Sequence, residues 1–168
     1  MKDVVVLLPD GAAITLRRAE SKDVPRIVDL LADDPLGSTR EGADDGYGPY
    51  ERAFEDISAD PHQLLVVAVD KQEIVATFQL TVIPGLSRRG ARRAQIEGVR
   101  VSRHYRSRGL GAAMIQWAIR ESAARDCAIV QLTSDKSRVD AHRFYERLGF
   151  TATHDGFKLT IRLEGESK

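Results

Sequence analysis

A basic turn interrupted by glycines is the part of this 168-residue sequence whose composition points most directly to chemistry. Residues 106–111 read RSRGLG and lie between an apolar, strand-like run at 96–101 and a strongly helical run at 110–125. The first turn of a helix has unpaired backbone NH groups and a partial positive charge, and glycine lets an anion approach that backbone. The turn therefore predicts phosphate binding. A tight strand-to-helix turn that needs glycine for its geometry would explain the same residues.

A carboxylate and a glycine stand side by side in the strand-like run, at Glu97 and Gly98. Strand alternation predicts Glu97 on the same face as Val99 and Val101, among apolar neighbours, where a carboxyl group suits general-base chemistry. A glutamate that faces solvent or pairs with Arg100 is the alternative interpretation. Because glycine inside a strand often marks a bulge, Gly98 predicts a bulge that opens a slot beside this strand, or else close packing against a bulky neighbour.

The last predicted helix carries a tyrosine on its inward stripe. Four residues of that stripe recur at helical spacing: Ala141, Phe144, Tyr145 and Leu148. Gly149 follows them and predicts a C-terminal cap. From the residues alone, the Tyr145 ring fills the core while its hydroxyl satisfies a buried polar group.

Composition limits the class of protein. A chain of 168 residues with 42% hydrophobic content predicts one domain over 1–168, with its core at about 12–163. The 25 basic and 25 acidic side chains cancel, so overall charge predicts neither a nucleic-acid nor a membrane partner. No apolar stretch approaches the roughly 20 residues of a membrane span.

Cysteine and histidine usage narrows the chemistry further. Cys127 is the single cysteine, which excludes an internal disulfide and favours a reducing, cytoplasmic setting. His104, His142 and His154 lack metal-ligand spacing with acidic or thiol partners, so we expect no metal site.

The elements that position these residues follow from hydrophobic periodicity and turn signals. They predict a mixed α/β fold with one mixed, mostly antiparallel sheet of about six to seven strands flanked by about four helices. The crossover through the helix after the glycine turn should join parallel strands. Predicted strands lie at 4–8, 14–18, 64–69, 74–82, 94–101, 128–133, 151–153 and 157–163, and predicted helices begin near 21, 50, 110 and 138.

Two motifs give the chain a resemblance to the GNAT superfamily of N-acetyltransferases. The family pattern at a helix start is glutamine or arginine, two residues, glycine, one residue, then glycine or alanine, which Arg106, Gly109 and Gly111 match. Residues 141–150, AHRFYERLGF, are similar to the second hallmark, an aromatic pair followed by a Leu-Gly-Phe helix exit. The motifs stand at the family's usual separation, and the element order agrees from 14 to 163.

The resemblance implies acetyl-CoA as cosubstrate and direct acetyl transfer to an amine in a ternary complex. It places the coenzyme pyrophosphate on the glycine turn and the pantetheine arm along the preceding strand. The coenzyme-binding residues implied in this way are Val99, Arg100, Val101, Arg106, Ser107, Arg108, Gly109, Leu110, Gly111 and Ala112. It further implies that Glu97 is the general base, that Tyr145 protonates the departing thiolate, and that a backbone NH near Val99 stabilises the oxyanion.

Charge placement gives an expectation about the acceptor. Residues 33–60 contain nine acidic and two basic side chains, whereas 88–108 contain eight arginines and one glutamate. In the family the first two helices and their loop form part of the acceptor site, so an acidic wall there predicts a cationic small molecule such as a polyamine or an amino-sugar. A protein or peptide amine is the alternative acceptor. A non-catalytic acetyl-CoA-binding or nucleic-acid-binding module is the alternative function, and a homodimer is compatible with either.

Overall fold

The computed structural model describes residues 1–33, 37, 41–42 and 46–161. The chain forms two compact units, Met1–Leu132 and Thr133–Lys168. The first unit contains the sheet, and the second contains the last helix and the C-terminal segment. A single domain over 1–168 stays a prediction. In the described part of the chain, no helix is both long enough and apolar enough to cross a bilayer.

Six strands form one sheet in which spatial order equals chain order. Every neighbouring pair is antiparallel except the last, β5 and β6, which run parallel. This arrangement confirms the predicted mixed, mostly antiparallel sheet and the parallel crossover after the glycine turn. The strands are β1 Val4–Leu7, β2 Ala13–Arg18, β3 Gln63–Asp70, β4 Glu73–Ile83, β5 Arg92–Val101 and β6 Cys127–Leu132.

Five helices occur within the described residues, counting one of only four residues between β4 and β5. That short helix contains two non-glycine residues in the left-handed region, Arg88 and Arg89. A 3-10 turn, Ser21–Asp23, leads into the first helix. The helices are α1 Val24–Ala32, α2 Gly48–Ala59, α3 Ser87–Gly90, α4 Leu110–Ala124 and α5 Val139–Arg147.

The sheet carries helices on both faces. Phe78 of β4 is fully buried, and its ring meets Trp117 of α4 edge to face, with centroids 5.9 Å apart. Val67 of β3 lies on the other face, since its register partner is Thr77, and there it packs with Ile27 and Leu30 of α1. Burying each such side chain contributes about 1.5–3 kcal/mol, so these two layers fix the sheet between α1 and α4.

A reciprocal cap and a partly buried ion pair set the start of α1. Glu20 and Asp23 form a capping box around the 3-10 turn. Asp23 is 3% exposed, and its carboxylate accepts hydrogen bonds from Arg17 Nη1 at 2.6 Å and Arg17 Nη2 at 3.0 Å. Since Arg17 belongs to β2, this pair ties the helix to the sheet.

The two strands predicted at the C-terminus are wrong for the residues that the structure describes. Residues 151–161 contain no strand, and the last two positions of the prediction, 162 and 163, lie outside the described residues. Phe157, Leu159 and Ile161 alternate as a half-buried strand would, yet they are 96%, 90% and 77% exposed. An isolated pair of strands is marginally stable in water, so alternation alone does not form a sheet without a neighbour to cover it.

Candidate active site

The glycine turn forms the start of α4 as the sequence predicts. Gly109 is the N-cap and has a left-handed φ of +85°. A hydrogen bond from Ala113 N to Gly109 O, 3.0 Å long, closes the first turn. The NH groups of Leu110, Gly111 and Ala112 precede that bond, which makes this turn suitable for an anion such as a pyrophosphate.

Gly109 is also required by a close approach from the N-terminal hairpin. A Cβ atom at this position would lie 2.8 Å from Cδ and 3.1 Å from Cγ of Pro9, in the turn between β1 and β2. Real Cβ atoms essentially never come that close to another heavy atom. The N-terminal hairpin therefore packs directly on the glycine turn.

Arg108 makes an ion pair with the same hairpin turn. Its Nε and Nη2 atoms donate to Asp10 Oδ2 at 2.9 and 2.7 Å, and its guanidinium lies 4.9 Å from the centroid of the Tyr105 ring. The backbone NH of Ala12 and the Arg108 guanidinium together lower the pKa of Asp10. The hydrogen bond to Asp10 raises the pKa of Arg108. A carboxylate thus already balances the charge of Arg108.

Arg106 bridges β5 and the end of α1. Its Nε donates to Val101 O at 3.0 Å, while its Nη2 lies 3.0 Å from Asp33 O and 3.1 Å from Asp33 Oδ2. Arg103 Nε reaches the same carboxylate at 2.6 Å. Because both arginines of the turn have carboxylate partners, the backbone NH groups are the main positive feature left for a phosphate.

The bulge predicted at Gly98 is present. Glu97 pairs with Gln79 and Arg100 pairs with Thr77, so Gly98 and Val99 together face one residue of β4. Gly98 has a left-handed φ of +59°, which glycine adopts without steric cost. A Cβ atom there would lie 3.8 Å from Leu31, which is ordinary contact, so the backbone conformation and not crowding requires glycine.

The bulge changes the face on which Glu97 lies. Val101 pairs with Ala76 and Glu97 with Gln79, and these two β4 residues point to opposite faces. Glu97 therefore shares a face with Arg100, and the prediction that it shares one with Val101 is wrong. The extra residue in the bulge reverses the alternation.

The surroundings of Glu97 also differ from the prediction. Its side chain is exposed rather than enclosed by apolar neighbours. Its register partner, Gln79, is polar and half-buried, and both lie on the side of the sheet where α1 packs. An exposed carboxylate there can reach a ligand on that face without rearrangement of the core.

The edge of β5 that follows the bulge extends past its parallel neighbour. Pairing between β5 and β6 ends at Ile96 and Leu132, whereas β5 continues to Val101. Two carbonyl groups of this extension accept hydrogen bonds from guanidinium groups, Val99 O from Arg100 Nη1 at 2.9 Å and Val101 O from Arg106 Nε at 3.0 Å. A pantetheine arm that pairs with these carbonyls would replace those donors.

Tyr145 lies in the second compact unit and is half-buried. Its ring meets Phe144 and Phe150 edge to face, with centroids 5.1 and 5.9 Å apart. Gly149, with φ of +90°, ends α5, and Phe150 N donates to Tyr145 O at 3.1 Å. This is the C-terminal cap that the sequence predicts, and it fixes the backbone of Tyr145.

Sequence analysis missed three residues beside the turn. Pro9, Asp10 and Asp33 contact Gly109, Arg108 and Arg106, respectively. The Asp10 and Asp33 contacts join positions 98 and 73 residues apart. No local pattern reports contacts at such separations. The local signal is the pair of arginines within the turn, Arg106 and Arg108, whose charges favour carboxylate partners.

Comparison with known proteins identifies the family. The sequence model of the acetyltransferase (GNAT) family matches residues 25–150. This chain belongs to that family. No curated protein matches it at a significant level.

Solved structures support the same assignment. A Bacillus halodurans protein described as a transcriptional regulator is 43% identical, with a TM-score of 0.85 over 88% of this chain and 99% of its own. A Trypanosoma brucei acetyltransferase is 27% identical, with a TM-score of 0.72 over 88% of this chain and 99% of its own. A Clostridium acetobutylicum protein, described as a predicted acetyltransferase with acetyl-CoA, shares the fold at 20% identity, with a TM-score of 0.70 over 88% of this chain and 96% of its own.

Proposed function

We propose that this protein transfers an acetyl group from acetyl-CoA to a primary amine. The observation that supports this most strongly is the combination of an anion-competent helix start with a bulged strand that extends past its neighbour. Family membership supports acetyl transfer in general. The use of acetyl-CoA and the N-acetyl product are the specific parts of the proposal.

The backbone from Arg106 to Ala112 would hold the pyrophosphate, and Val99 to Val101 would pair with the pantetheine arm. Acetyl-CoA supplies an acyl group activated as a thioester. Ser107 and Gly109 both have left-handed φ angles, +61° and +85°, so the turn bends sharply and successive NH groups can converge on one anion. The guanidinium groups of Arg106 and Arg108 add charge that their carboxylate partners reduce.

Proton transfers in the proposal involve two side chains. An alkyl ammonium has a pKa near 10.4, so most of the acceptor is charged at neutral pH and must lose a proton before it attacks. Glu97 accepts that proton directly or through water, and the backbone NH near Val99 donates to the carbonyl oxygen as charge develops on it. Tyr145 donates its hydroxyl proton to the departing thiolate as the thioester C–S bond breaks. The second proton that the amine nitrogen loses on forming the amide then returns Tyr145 to its neutral form.

A cationic small molecule is the proposed acceptor. Acidic residues lie along α2, at its C-cap and in the described part of the segment that precedes it: Glu41, Glu51, Glu55, Asp56 and Asp60. Glu41 accepts a hydrogen bond from the Tyr50 hydroxyl at 3.1 Å, which fixes one of these carboxylates beside α2. Their summed field attracts a cation, and a lysine of a protein or peptide is the second acceptor that it fits. We further propose a cytoplasmic location, and a homodimer is compatible with the proposal.

A thiol-release assay tests the proposal. Purified protein is incubated with acetyl-CoA and a panel of diamines, amino-sugars and peptides, and free thiol and N-acetyl product are both measured. We expect both to appear in equal amounts with at least one cationic amine. Release of thiol without an N-acetyl product, or turnover only with anionic acceptors, would contradict the proposal.

Nucleic-acid binding is a second candidate, because the 43% identical relative is described as a transcriptional regulator. Arg88 and Arg89 are exposed beside Leu86 at the tip between β4 and β5, and left-handed φ angles of 52° and 60° turn this tip sharply. A salt-dependent shift of oligonucleotides that is lost in Arg88→Ala/Arg89→Ala, without acetyl transfer to any amine, would favour this function instead.

A further inference from the structure

Four polar side chains form a straight ladder across the sheet. Gln63 of β3 pairs in register with Thr81 of β4, Thr81 with Gln95 of β5, and Gln95 with Gln131 of β6. Directly paired residues of neighbouring strands point to the same face, so all four side chains project together. With strands about 4.8 Å apart, the ladder is about 14 Å long. We call these four residues the amide ladder.

The ladder side chains hold one another in position. Thr81 Oγ1 donates to Gln63 Oε1 at 2.7 Å, and Gln131 Nε2 donates to Gln95 Oε1 at 2.6 Å. Gln79, which lies two residues before Thr81 in β4 and on the same face, donates to Gln63 Oε1 at 2.9 Å. Each carboxamide has two N–H donors and one oxygen acceptor, and the Gln95–Gln131 bond uses one end of each group. The Gln95 amino group and the Gln131 oxygen therefore project a donor and an acceptor of fixed position.

The ladder adjoins the bulge and the candidate base. The next row of side chains on this face lies between the ladder and α1. It consists of Leu65, Gln79 and Glu97, which pair in register. Beyond it the face becomes apolar, since Val67 packs under α1. Gln63, Thr81 and Gln95 are half-buried, and Glu97 and Gln131 are exposed. A molecule that presents an amine to Glu97 thus has the ladder beside it on the same face.

We infer that the amide ladder recognises the body of the acceptor, and that the acceptor is an amine carrying several hydroxyl groups, such as an amino-sugar. This inference rests on the proposed acetyl transfer, and it selects one class among the cationic acceptors.

The charges on this face favour an acceptor with several hydroxyl groups over one with several ammonium groups. Each ammonium group that leaves water needs a carboxylate partner to offset its desolvation. The amide ladder and the row beside it contain one carboxylate, that of Glu97. A polyamine would bring further ammonium groups against neutral amides. Hydroxyl groups both donate and accept, so they match the fixed donor and acceptor of Gln95 and Gln131.

The experiment compares two acceptors on three proteins. The acceptors are a hexosamine and a linear diaminoalkane, and the proteins are the wild type, Gln95→Leu/Gln131→Leu and Gln116→Leu. Leucine keeps the approximate volume and removes the hydrogen bonds, and Gln116 is an exposed glutamine of α4 that serves as the matched control. Coenzyme affinity of each protein is measured by calorimetry.

We expect the wild type to prefer the hexosamine. The ladder double variant should lose about tenfold in kcat/KM for the hexosamine, about the effect of removing one to two neutral hydrogen bonds, with the diaminoalkane and the coenzyme affinity unchanged. Gln116→Leu should resemble the wild type. In the wild type, hexosamine addition should also shift the side-chain amide NMR signals of Gln95 and Gln131.

Two other outcomes overturn the inference in distinguishable ways. In the first, the protein binds the coenzyme and acetylates the diaminoalkane, but it shows no preference for the hexosamine or the ladder variant has no effect. That result overturns the ladder assignment and leaves the proposed function standing. No coenzyme uptake and no transfer to any amine by folded protein overturns both.

Discussion

Glu97 and Arg100 lie on the same face of the sheet although three positions separate them, because Gly98 and Val99 together oppose one residue of β4. An unbulged strand would point these two side chains in opposite directions. The bulge thereby places a carboxylate on the side of the sheet where we propose that the acceptor binds. One residue, Gly98, separates Glu97 from the segment Val99–Val101 where we propose that the coenzyme pairs. The geometry of Gly98 is accordingly central to the proposed activity.

Substitution of Gly98 tests this geometry. Gly98→Ala forces a side chain into the left-handed region, which costs about 1–2 kcal/mol, without crowding Leu31. We expect a loss of about 1 kcal/mol in the free energy of unfolding, measured in urea, and a larger relative loss of kcat. A variant with full activity and full stability would contradict the requirement for the bulge.

Substitution of Gly109 should weaken acetyl-CoA binding more than left-handed backbone strain alone would. Gly109→Ala adds a clash with Pro9 at 2.8 Å to the left-handed strain. Gly90→Ala is the matched control, since Gly90 has φ of +78° and open space around the added Cβ. We expect Gly90→Ala to bind acetyl-CoA like the wild type and Gly109→Ala to bind it at least tenfold more weakly by calorimetry. Equal affinity in the two variants would show that the close approach does not matter for the coenzyme.

Removal of the Tyr145 hydroxyl should separate chemistry from binding. Tyr145→Phe keeps the ring contacts with Phe144 and Phe150 and removes the proposed acid. We expect kcat to fall by about a hundredfold, the lower end for general acid–base catalysis, while the dissociation constant for acetyl-CoA changes little. Equal losses in turnover and affinity would assign Tyr145 to coenzyme binding instead.

Neutralising Asp10 should strengthen coenzyme binding. Asp10→Asn removes a negative charge beside the glycine turn and releases Arg108 from its pairing at 2.7 Å. We expect the affinity for acetyl-CoA to rise a few-fold at low salt, and this gain to shrink as ionic strength increases. Weaker binding in Asp10→Asn would mean that the carboxylate positions Arg108 productively rather than competing with the coenzyme for it.

The Arg17–Asp23 pair should make the free energy of unfolding depend on pH in the acid range. Burial raises the pKa of Asp23, but hydrogen bonds from Arg17 and from Glu20 NH outweigh burial and lower it below the ordinary value of 3.8. A carboxylate with a lowered pKa stabilises the fold above its unfolded-state value, and this contribution disappears as the pH falls through the folded-state value. We expect Asp23→Asn to lose about 2 kcal/mol at neutral pH, where Arg17 is left unpaired. The difference from the wild type should shrink below pH 3.8, which urea unfolding at several pH values measures. A difference that stays constant through acid would contradict the role of this ion pair.

Local signals predicted most of the fold. Helix α4 begins at Leu110 with Gly109 as its N-cap, and a left-handed Gly149 follows the end of α5, because glycine and helical periodicity act within a few residues. The bulge at Gly98 was likewise predictable from one glycine within a strand.

Other features depend on the number of residues in the bulge or on distant partners. Counting alternation through Gly98 assigned Glu97 to the wrong face, since one extra residue reverses the pattern. The segment 151–161 has strand-like alternation but no strand, because pairing requires a neighbour that local sequence does not supply. The roles proposed for Glu97, Tyr145 and the coenzyme-binding residues stay predictions.

Calorimetric titration of the folded protein with acetyl-CoA tests the central claim most directly, since every proposed step requires the coenzyme on the glycine turn and the adjoining strand. The account predicts saturable uptake of one acetyl-CoA per chain, much weakened in Gly109→Ala. No binding of acetyl-CoA or CoA by protein shown to be folded would contradict it.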